Sequence, residues 1–268
     1  MTQVTLAEIT EIPDLIELER MQRAVWGPGD LEIIPVSHLK AVMVSGGMIL
    51  GAFDGPNILG FAYGFPSFPH EPFTSGFGMH SHMVAVSREA RGQGIGQALK
   101  QYQKQWCTER GMTWMSWTFD PLQQQNARLN LHHLGAVSYE YFPNFYGLLP
   151  GELGGNQESD RLLAVWHFDE RFTQYRERAA AVTEAVPVVS PISVPEYLHD
   201  LPRTHEFIDA PAVSISVPAN VTALLRDQPE IANEWRVAIR KAFTRYLQHG
   251  YVAANFTNAG YVLLQATD

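Results

Sequence analysis

The most informative segment of this chain reads Met83-Val84-Ala85-Val86-Ser87-Arg88-Glu89-Ala90-Arg91-Gly92-Gln93-Gly94-Ile95-Gly96-Gln97-Ala98-Leu99. Its apolar start predicts a strand, and the three alternate glycines predict a tight turn. Ile95 and Leu99 then begin an apolar stripe that predicts a helix ending near Gly111. A strand therefore leads through a glycine-rich turn directly into a helix.

This turn is expected to bind an anion. The first N–H groups of a helix have no intrahelical acceptor and carry the positive end of its dipole, and glycine lets an anion come close. Arg91 adds positive charge. The spacing excludes two well-known phosphate-binding loops. A Walker loop needs Lys-Ser or Lys-Thr after its last glycine, and neither follows here. A dinucleotide-binding G-x-G-x-x-G loop needs a third glycine where this chain has Gln97 or Leu99. What remains is the pattern Arg-x-x-Gly-x-Gly.

Composition narrows the class of protein. The chain has 268 residues, 46% hydrophobic and 18% charged, which is enough apolar material for one large core or two smaller ones. Its net charge of −9 disfavours nucleic acid and mildly favours a cationic ligand such as an amine. One cysteine, Cys107, fits a reducing compartment. With no targeting segment and no apolar run of bilayer length, we expect a cytoplasmic protein that does not enter a membrane.

The pattern along the chain predicts three regions. Residues 1–170 alternate strand and helix signals, with both hairpins and crossovers, and this indicates a mixed α/β sheet. Residues 171–211 indicate a helix and a proline-rich connection. Residues 212–268 indicate a small β-α-β-β subdomain, which we expect to pack on the first domain or on a second subunit. Pairing of sheet edges between two copies would give a homodimer, which is our candidate assembly.

The segment Val86 to Gly96 resembles motif A of the GNAT superfamily of acyl-CoA-dependent N-acyltransferases, and the order of elements up to about Phe168 resembles that fold. The resemblance implies a GNAT-like fold and acetyl-CoA as co-substrate. It implies that the coenzyme A diphosphate is held by Arg91, Gly92, Gln93, Gly94, Ile95 and Gly96. It further implies that the backbone of Val84, Ala85 and Val86 receives pantetheine like an added strand. The alternative is an ordinary glycine-rich helix start.

Two histidines precede the motif on the same strand. Since side chains two apart share a face of a strand, we expect His80 and His82 to point the same way as Val84 and Val86. This segment is similar to that of the serotonin N-acetyltransferases, where paired histidines are thought to take the proton from the amine. An imidazole, with a pKa of about 6.5, suits that role at neutral pH. The alternatives are structural histidines or half of a zinc site, but no third ligand has clear spacing and we expect no metal.

The family's second landmark fits less well. Relatives carry an Asn near the start of the next long helix and a Tyr near its end, but those positions here hold Gln124 and Leu131. Asn126, close by, is our candidate for the cofactor-binding Asn. The missing Tyr leaves the general acid open, with Tyr146 or His132 as candidates. A thiolate can also leave without an acid and take its proton from water.

Together these features predict a GNAT-type N-acetyltransferase. An acetyl or other short acyl group would pass from CoA to a small-molecule amine by direct attack, with a histidine general base and no covalent intermediate. Cys107 is expected in the core rather than as a nucleophile. Two alternatives stay open: a non-catalytic acyl-CoA-binding module for regulation or assembly, and an O-acyltransferase on the same fold. The acceptor itself cannot be inferred from the sequence.

Overall fold

Two units make up the chain, Met1–Trp117 and Thr118–Asp268. The structure is a computed structural model that describes residues 4–26, 33–70, 74–149, 157–169 and 173–266. The predicted domain boundaries near residues 170 and 211 stay predictions.

The first unit holds the histidines and the glycine-rich turn. Its elements are β1 (Thr5–Glu8), α1 (Ile12–Trp26), α2 (Val36–Val44), β2 (Met48–Asp54), β3 (Asn57–Ser67), β4 (Gly78–Val86), a 3₁₀ turn (Arg88–Ala90), α3 (Ile95–Thr108) and the greater part of β5 (Trp114–Phe119), in which the unit ends at Trp117. Strands β1 to β4 are antiparallel neighbours, and β5 runs parallel to β4. The predicted mixed α/β sheet is confirmed.

Helices cover both faces of this sheet. Leu15 and Leu39, from α1 and α2, are buried against Phe61 of β3. Helix α3 lies on the opposite face, against Gly60 of β3. A Cβ atom added to Gly60 would lie 3.3 Å from the side chain of Ile95 and 3.4 Å from that of Leu99. The apolar stripe of α3 therefore faces the sheet and fixes the direction in which the helix leaves the turn.

Strand β4 contains a bulge. Tyr63 of β3 pairs with Met83 and Gly64 pairs with Ser81, so His82 is an extra residue with no partner across the ladder. Past this region β4 separates from β5, because the two strands pair only at Met79–Met115 and His80–Ser116. A bulge bends its strand and increases its twist, which accounts for the separation.

The second unit is built on a five-stranded sheet ordered β11-β10-β12-β14-β13. Its elements are α4 (Gln124–Ala127), a π-helical turn (Arg128–His133), β6 (Tyr141–Phe142), β7 (Leu148–Leu149), β8 (Gln157–Glu158), β9 (Arg161–His167), α5 (Thr173–Ala180), β10 (Val186–Ile192), β11 (Leu201–Thr204), β12 (Ala212–Ile215), α6 (Val221–Asp227), α7 (Pro229–Gln248), β13 (Tyr251–Thr257) and β14 (Gly260–Gln265). Helix α7 buries Trp235, Ile239 and Phe243. The expected C-terminal strand, long helix and hairpin are present, with α6 as an addition.

Two parts of this unit differ from what the sequence predicts. The pattern of Val137 to Phe145 predicts a strand, but the run is not one long strand, because the chain turns where Asn144 has a φ of +47° and donates its N–H to the buried Asp160. The prolines from Pro187 to Pro202 predict a loop-rich connection, but β10 and β11 lie within it. Pro191 and Pro202 face each other where β11 forms the sheet edge, a position that tolerates proline.

Replacing Gly260 tests how tightly the last hairpin closes on β12. An added Cβ there would overlap the carbonyl oxygen of Ile215, at a φ of +107° that side chains rarely adopt. We expect Gly260→Ala to lower the free energy of unfolding by about 3 kcal/mol. Gly250→Ala, at φ +78° with open space around it, is the control and should cost about 1–2 kcal/mol. Urea unfolding measures both, and equal losses would contradict the close approach.

Candidate active site

The glycine-rich turn has the geometry of an anion cradle. Gly92 and Gly94 both have a φ of +79°, and no atom lies within 4 Å of the place where either would carry a Cβ. Gly94 precedes α3 directly, and no side chain caps the helix there. The first amides of α3 are therefore free to bind a negatively charged group from outside the protein.

Burial holds this turn in place from one side only. Ile95 is buried, whereas Arg91, Gly92, Gln93 and Gly94 are exposed. Below the turn, a Cβ on Gly96 would lie 3.9 Å from the Cγ2 atom of Val86, so the helix start rests against the end of β4. The turn therefore exposes its backbone N–H groups and the Arg91 guanidinium, while Ile95 fixes it to the protein. This arrangement fits a diphosphate.

The separation of β4 from β5 opens a second feature. One edge of β4 pairs with β3, where Ala62 opposes Val84 and Gly60 opposes Val86. On the other edge, the pairing with β5 ends at His80. Val84, Ala85 and Val86 therefore present unpaired strand backbone that leads to the glycine turn, as a ligand bound like an added strand requires.

The two imidazoles lie on the face opposite to the one we expected. The rings of His80 and His82 pack on Phe65, at centroid distances of 5.3 and 5.8 Å. His82 also meets Tyr63 edge-on at 5.7 Å, on the side of the sheet covered by α1 and α2. Val86 instead faces α3. The expectation that both histidines point the same way as Val84 and Val86 is wrong, because the extra residue in the bulge reverses the alternation.

Two hydroxyl groups join this cluster to further histidines. The Oγ atom of Ser116 lies 3.2 Å from Nδ1 of His80 and 3.3 Å from Nε2 of His70. The Tyr63 hydroxyl lies 2.9 Å from Nε2 of His38. Sequence reasoning missed these contacts because the partners come from four separate elements, and only the register of β4 on β5 brings His80 beside Ser116.

The surroundings favour neutral imidazoles. Burial lowers the pKa of His80 to about 4, with smaller contributions from His82, Lys100 and His70. Burial also lowers the pKa of His82, and His38 adds to the effect. Both rings are therefore unprotonated at neutral pH and able to accept a proton.

Behind β4, on the α3 side, lies a buried lysine that sequence reasoning also missed. Lys100 is only 4% exposed; its Nζ donates to Ser81 Oγ at 2.8 Å and sits 3.6 Å from the ring centroid of Trp117. The Ser81 hydroxyl donates to Gln103 in turn. Burial lowers the pKa of Lys100 well below its usual value, since none of these described partners is a carboxylate.

The remaining predicted site residues lie in the second unit. Tyr146 is half-exposed, and its hydroxyl lies 3.2 Å from Thr118 Oγ1. Asn126 is exposed, and His132 contacts Asn255. Leu131 is buried in the π-helical turn. Their assignments to cofactor binding or acid catalysis stay predictions.

Comparison with known proteins identifies the fold and the class of activity. Residues 13–136 match the acetyltransferase (GNAT) family model, and this match includes the histidine strand, the glycine turn and the start of the second unit. The match covers 124 of the 268 residues, and this stretch is similar to the GNAT acetyltransferases. The expectation of a GNAT fold is confirmed, and the protein is an enzyme of the acetyltransferase class. No curated protein matches the chain.

Two solved structures share the GNAT fold with this chain. A GNAT-family protein from Desulfovibrio desulfuricans is 15% identical, with a TM-score of 0.50, covering 62% of this chain and 100% of its own. Arabidopsis thaliana NAA60, solved with a bisubstrate analogue, is 16% identical, with a TM-score of 0.51, covering 62% and 98%. A Salmonella typhimurium protein solved with acetyl-CoA is 16% identical at a TM-score of 0.49, covering 63% and 95%.

Two further properties concern the described parts of the chain. No helix in them is both long and apolar enough to cross a membrane. Nor do three or more His, Cys, Asp or Glu side chains gather there in a group that could hold a metal ion.

Gly94→Ala tests the cradle. Alanine at a φ of +79° costs about 1–2 kcal/mol, and its methyl group occupies the space through which phosphates approach. We expect the KM for acetyl-CoA to rise about tenfold. Gly111→Ala is the matched control at the other end of α3, with φ +74° and open space. It should lose similar stability and keep its KM, and equal KM values in the two variants would contradict the assignment.

Lys100→Met tests the buried amine. The unfolded chain binds this proton up to a pKa of about 10.4, whereas the folded chain releases it at lower pH, so stability rises as the pH rises towards that value. We expect the variant to gain about 1–3 kcal/mol at pH 7, and the gain to shrink at alkaline pH. Thermal unfolding across pH measures this, with Lys104→Met in the same helix as control. A loss of stability at pH 7 would contradict the prediction.

Proposed function

We propose that this enzyme transfers the acetyl group of acetyl-CoA to the amino group of a small-molecule acceptor, with His80 and His82 as the general base. The observation that carries the proposal is their position on β4. Two neutral imidazoles lie at the point where β4 leaves β5, and the same strand leads directly into the anion cradle. A base and a diphosphate site are thus fixed to one rigid element.

In this proposal the backbone turn and one side chain hold the diphosphate. The residues concerned are Arg91, Gly92, Gln93, Gly94, Ile95 and Gly96. The unpaired edge of β4 at Val84, Ala85 and Val86 binds the pantetheine arm, and Asn126 is a further candidate contact. Acetyl-CoA supplies an acyl group activated as a thioester. A strand N–H near Val84 is the candidate donor to the oxyanion that forms when the amine attacks.

The low pKa of His80 determines when the proton moves. An alkylammonium has a pKa of about 10, so an imidazole with a pKa of about 4 is a poor base for it before attack. Once nitrogen bonds to the carbonyl carbon, its proton becomes far more acidic, and a neutral imidazole removes it readily. In this proposal the buried histidines therefore accept the proton after the amine has attacked the carbonyl carbon, and they do not remove it from the free ammonium.

Attack is direct and leaves CoA as a thiolate. Burial raises the pKa of the Cys107 thiol to about 12, so this side chain does not serve as a nucleophile. Leu131 stands where relatives carry a tyrosine, and Tyr146 is the candidate acid, with water as the alternative proton source. The acidic composition suits an amine and disfavours nucleic acid as partner. A cytoplasmic location and a homodimer complete the proposal.

Replacing both histidines tests the base. We expect His80→Ala/His82→Ala to lower kcat/KM at pH 7 by about 100-fold, and the gap should persist as the pH approaches the pKa of the amine, because the histidines act after attack and not on the free ammonium. The exposed pair His133→Ala/His249→Ala controls for the loss of two histidines. Wild-type activity of the first variant from roughly pH 6 to 9 would remove the base assignment.

The acceptor class needs its own measurement. Release of CoA from acetyl-CoA is followed with a panel of primary amines beside matched alcohols. Turnover with amines supports the proposal. Turnover confined to alcohols would replace it with O-acyl transfer on the same fold.

A further inference from the structure

Ser116 occupies a special place in the histidine cluster. Its side chain is fully buried on β5, directly opposite His80 on β4. Its single hydroxyl lies between two imidazole nitrogens, Nδ1 of His80 and Nε2 of His70, at 3.2 and 3.3 Å. A hydroxyl group both accepts and donates, so it can join these nitrogens into one continuous hydrogen-bonded chain.

We propose that Ser116 and His70 form a relay that carries the substrate proton away from His80. The inference rests on the proposed function, since it presumes that His80 receives this proton. Ser116 and His70 are positioning residues in this scheme, because they act through His80 and not on the substrate.

The proton steps balance without any further reactant. Nε2 of His80 takes a proton from the nitrogen of the acceptor, and Nδ1–H of His80 passes its proton to Ser116 Oγ. The Ser116 O–H bond breaks at the same time, and its proton goes to Nε2 of His70. Ser116 is unchanged, His80 is neutral again with its proton on Nε2, and His70 carries the positive charge. Return to the starting tautomer occurs when the protons move back or exchange with water.

The groups that face His80 explain why it passes the proton on. Phe65 of β3 and His82 of β4 pack against the ring, Ser116 approaches from β5, and Lys100 lies behind the strand in α3. The described hydrogen bonds of His80 include no carboxylate that could stabilise an imidazolium. A charged His80 would stand in an apolar site among other basic groups, so the proton moves on.

His82 has no comparable path. Its ring meets the edge of Tyr63, and the hydroxyl of Tyr63 contacts His38 instead. A proton on His82 therefore has no continuous hydrogen-bonded chain to follow among these contacts. This asymmetry separates the two histidines, and it predicts that the relay serves His80.

Ser116→Ala and Ser116→Thr form the first test. Alanine keeps the buried volume but breaks the chain of hydrogen bonds, whereas threonine keeps the hydroxyl. We expect alanine to lower the single-turnover rate about tenfold, with unchanged KM for acetyl-CoA and a changed solvent deuterium isotope effect. Threonine should restore most of the rate. Ser214→Ala, another buried serine in the second unit, is the control and should behave like the wild type.

His70→Ala forms the second test. We expect a similar loss of rate, and added imidazole should recover it in His70→Ala but not in Ser116→Ala. The double variant should be no slower than either single variant, because both interrupt one chain. A purely structural role of Ser116 would lower the unfolding temperature and leave the isotope effect unchanged.

The outcomes separate this relay from the proposed function. Wild-type rate, isotope effect and pH profile in Ser116→Ala, beside a defective His80→Ala/His82→Ala, would overturn the relay and leave the histidine base standing. A fully active His80→Ala/His82→Ala would overturn the base itself. Failure of imidazole to recover His70→Ala would remove His70 from the chain.

Discussion

One extra residue in β4 is the constraint on which this site depends. His82 has no partner on β3, and the strand must accommodate it by bending. The bend reverses the side-chain alternation, which puts both histidines on the aromatic face and leaves Val84 and Val86 towards α3. It also takes β4 away from β5 just after His80. The proposed base, the proposed acyl-binding edge and the proposed phosphate site therefore follow one another along a single strand and turn.

Among the described residues, no acidic side chain contributes to the pKa shifts of His80 and His82. His80 and His82 lie among aromatic rings and other basic side chains, and burial lowers both pKa values. Burial likewise lowers the pKa of Lys100 behind the strand. A carboxylate partner would stabilise the charged imidazolium and so reduce its tendency to release the proton. In the proposed function, the low pKa values make the histidines weaker bases that release the proton more readily.

Local signals in the sequence were enough to predict the end of β4, the glycine-rich turn and α3, because their residues are contiguous and the pattern is strong. The bulge could not be predicted, since an extra residue shows only in the pairing with β3. Ser116 and Lys100 stayed hidden for a similar reason: their partners lie on other elements. The prolines between residues 187 and 202 indicated a loop, although an edge strand and its neighbour accommodate them. The π-helical turn at Arg128–His133 likewise has no signature in spacing.

The open edge of β4 has a consequence for the protein without its co-substrate. Unpaired strand backbone is a template for association with other extended chains, including partly unfolded copies of the same protein. A ligand that lies along this edge covers it and completes the row of hydrogen bonds. Bound coenzyme A would then take the place of a sixth strand beside the five strands of the first unit. The free energy of unfolding would then rise with the logarithm of the coenzyme A concentration.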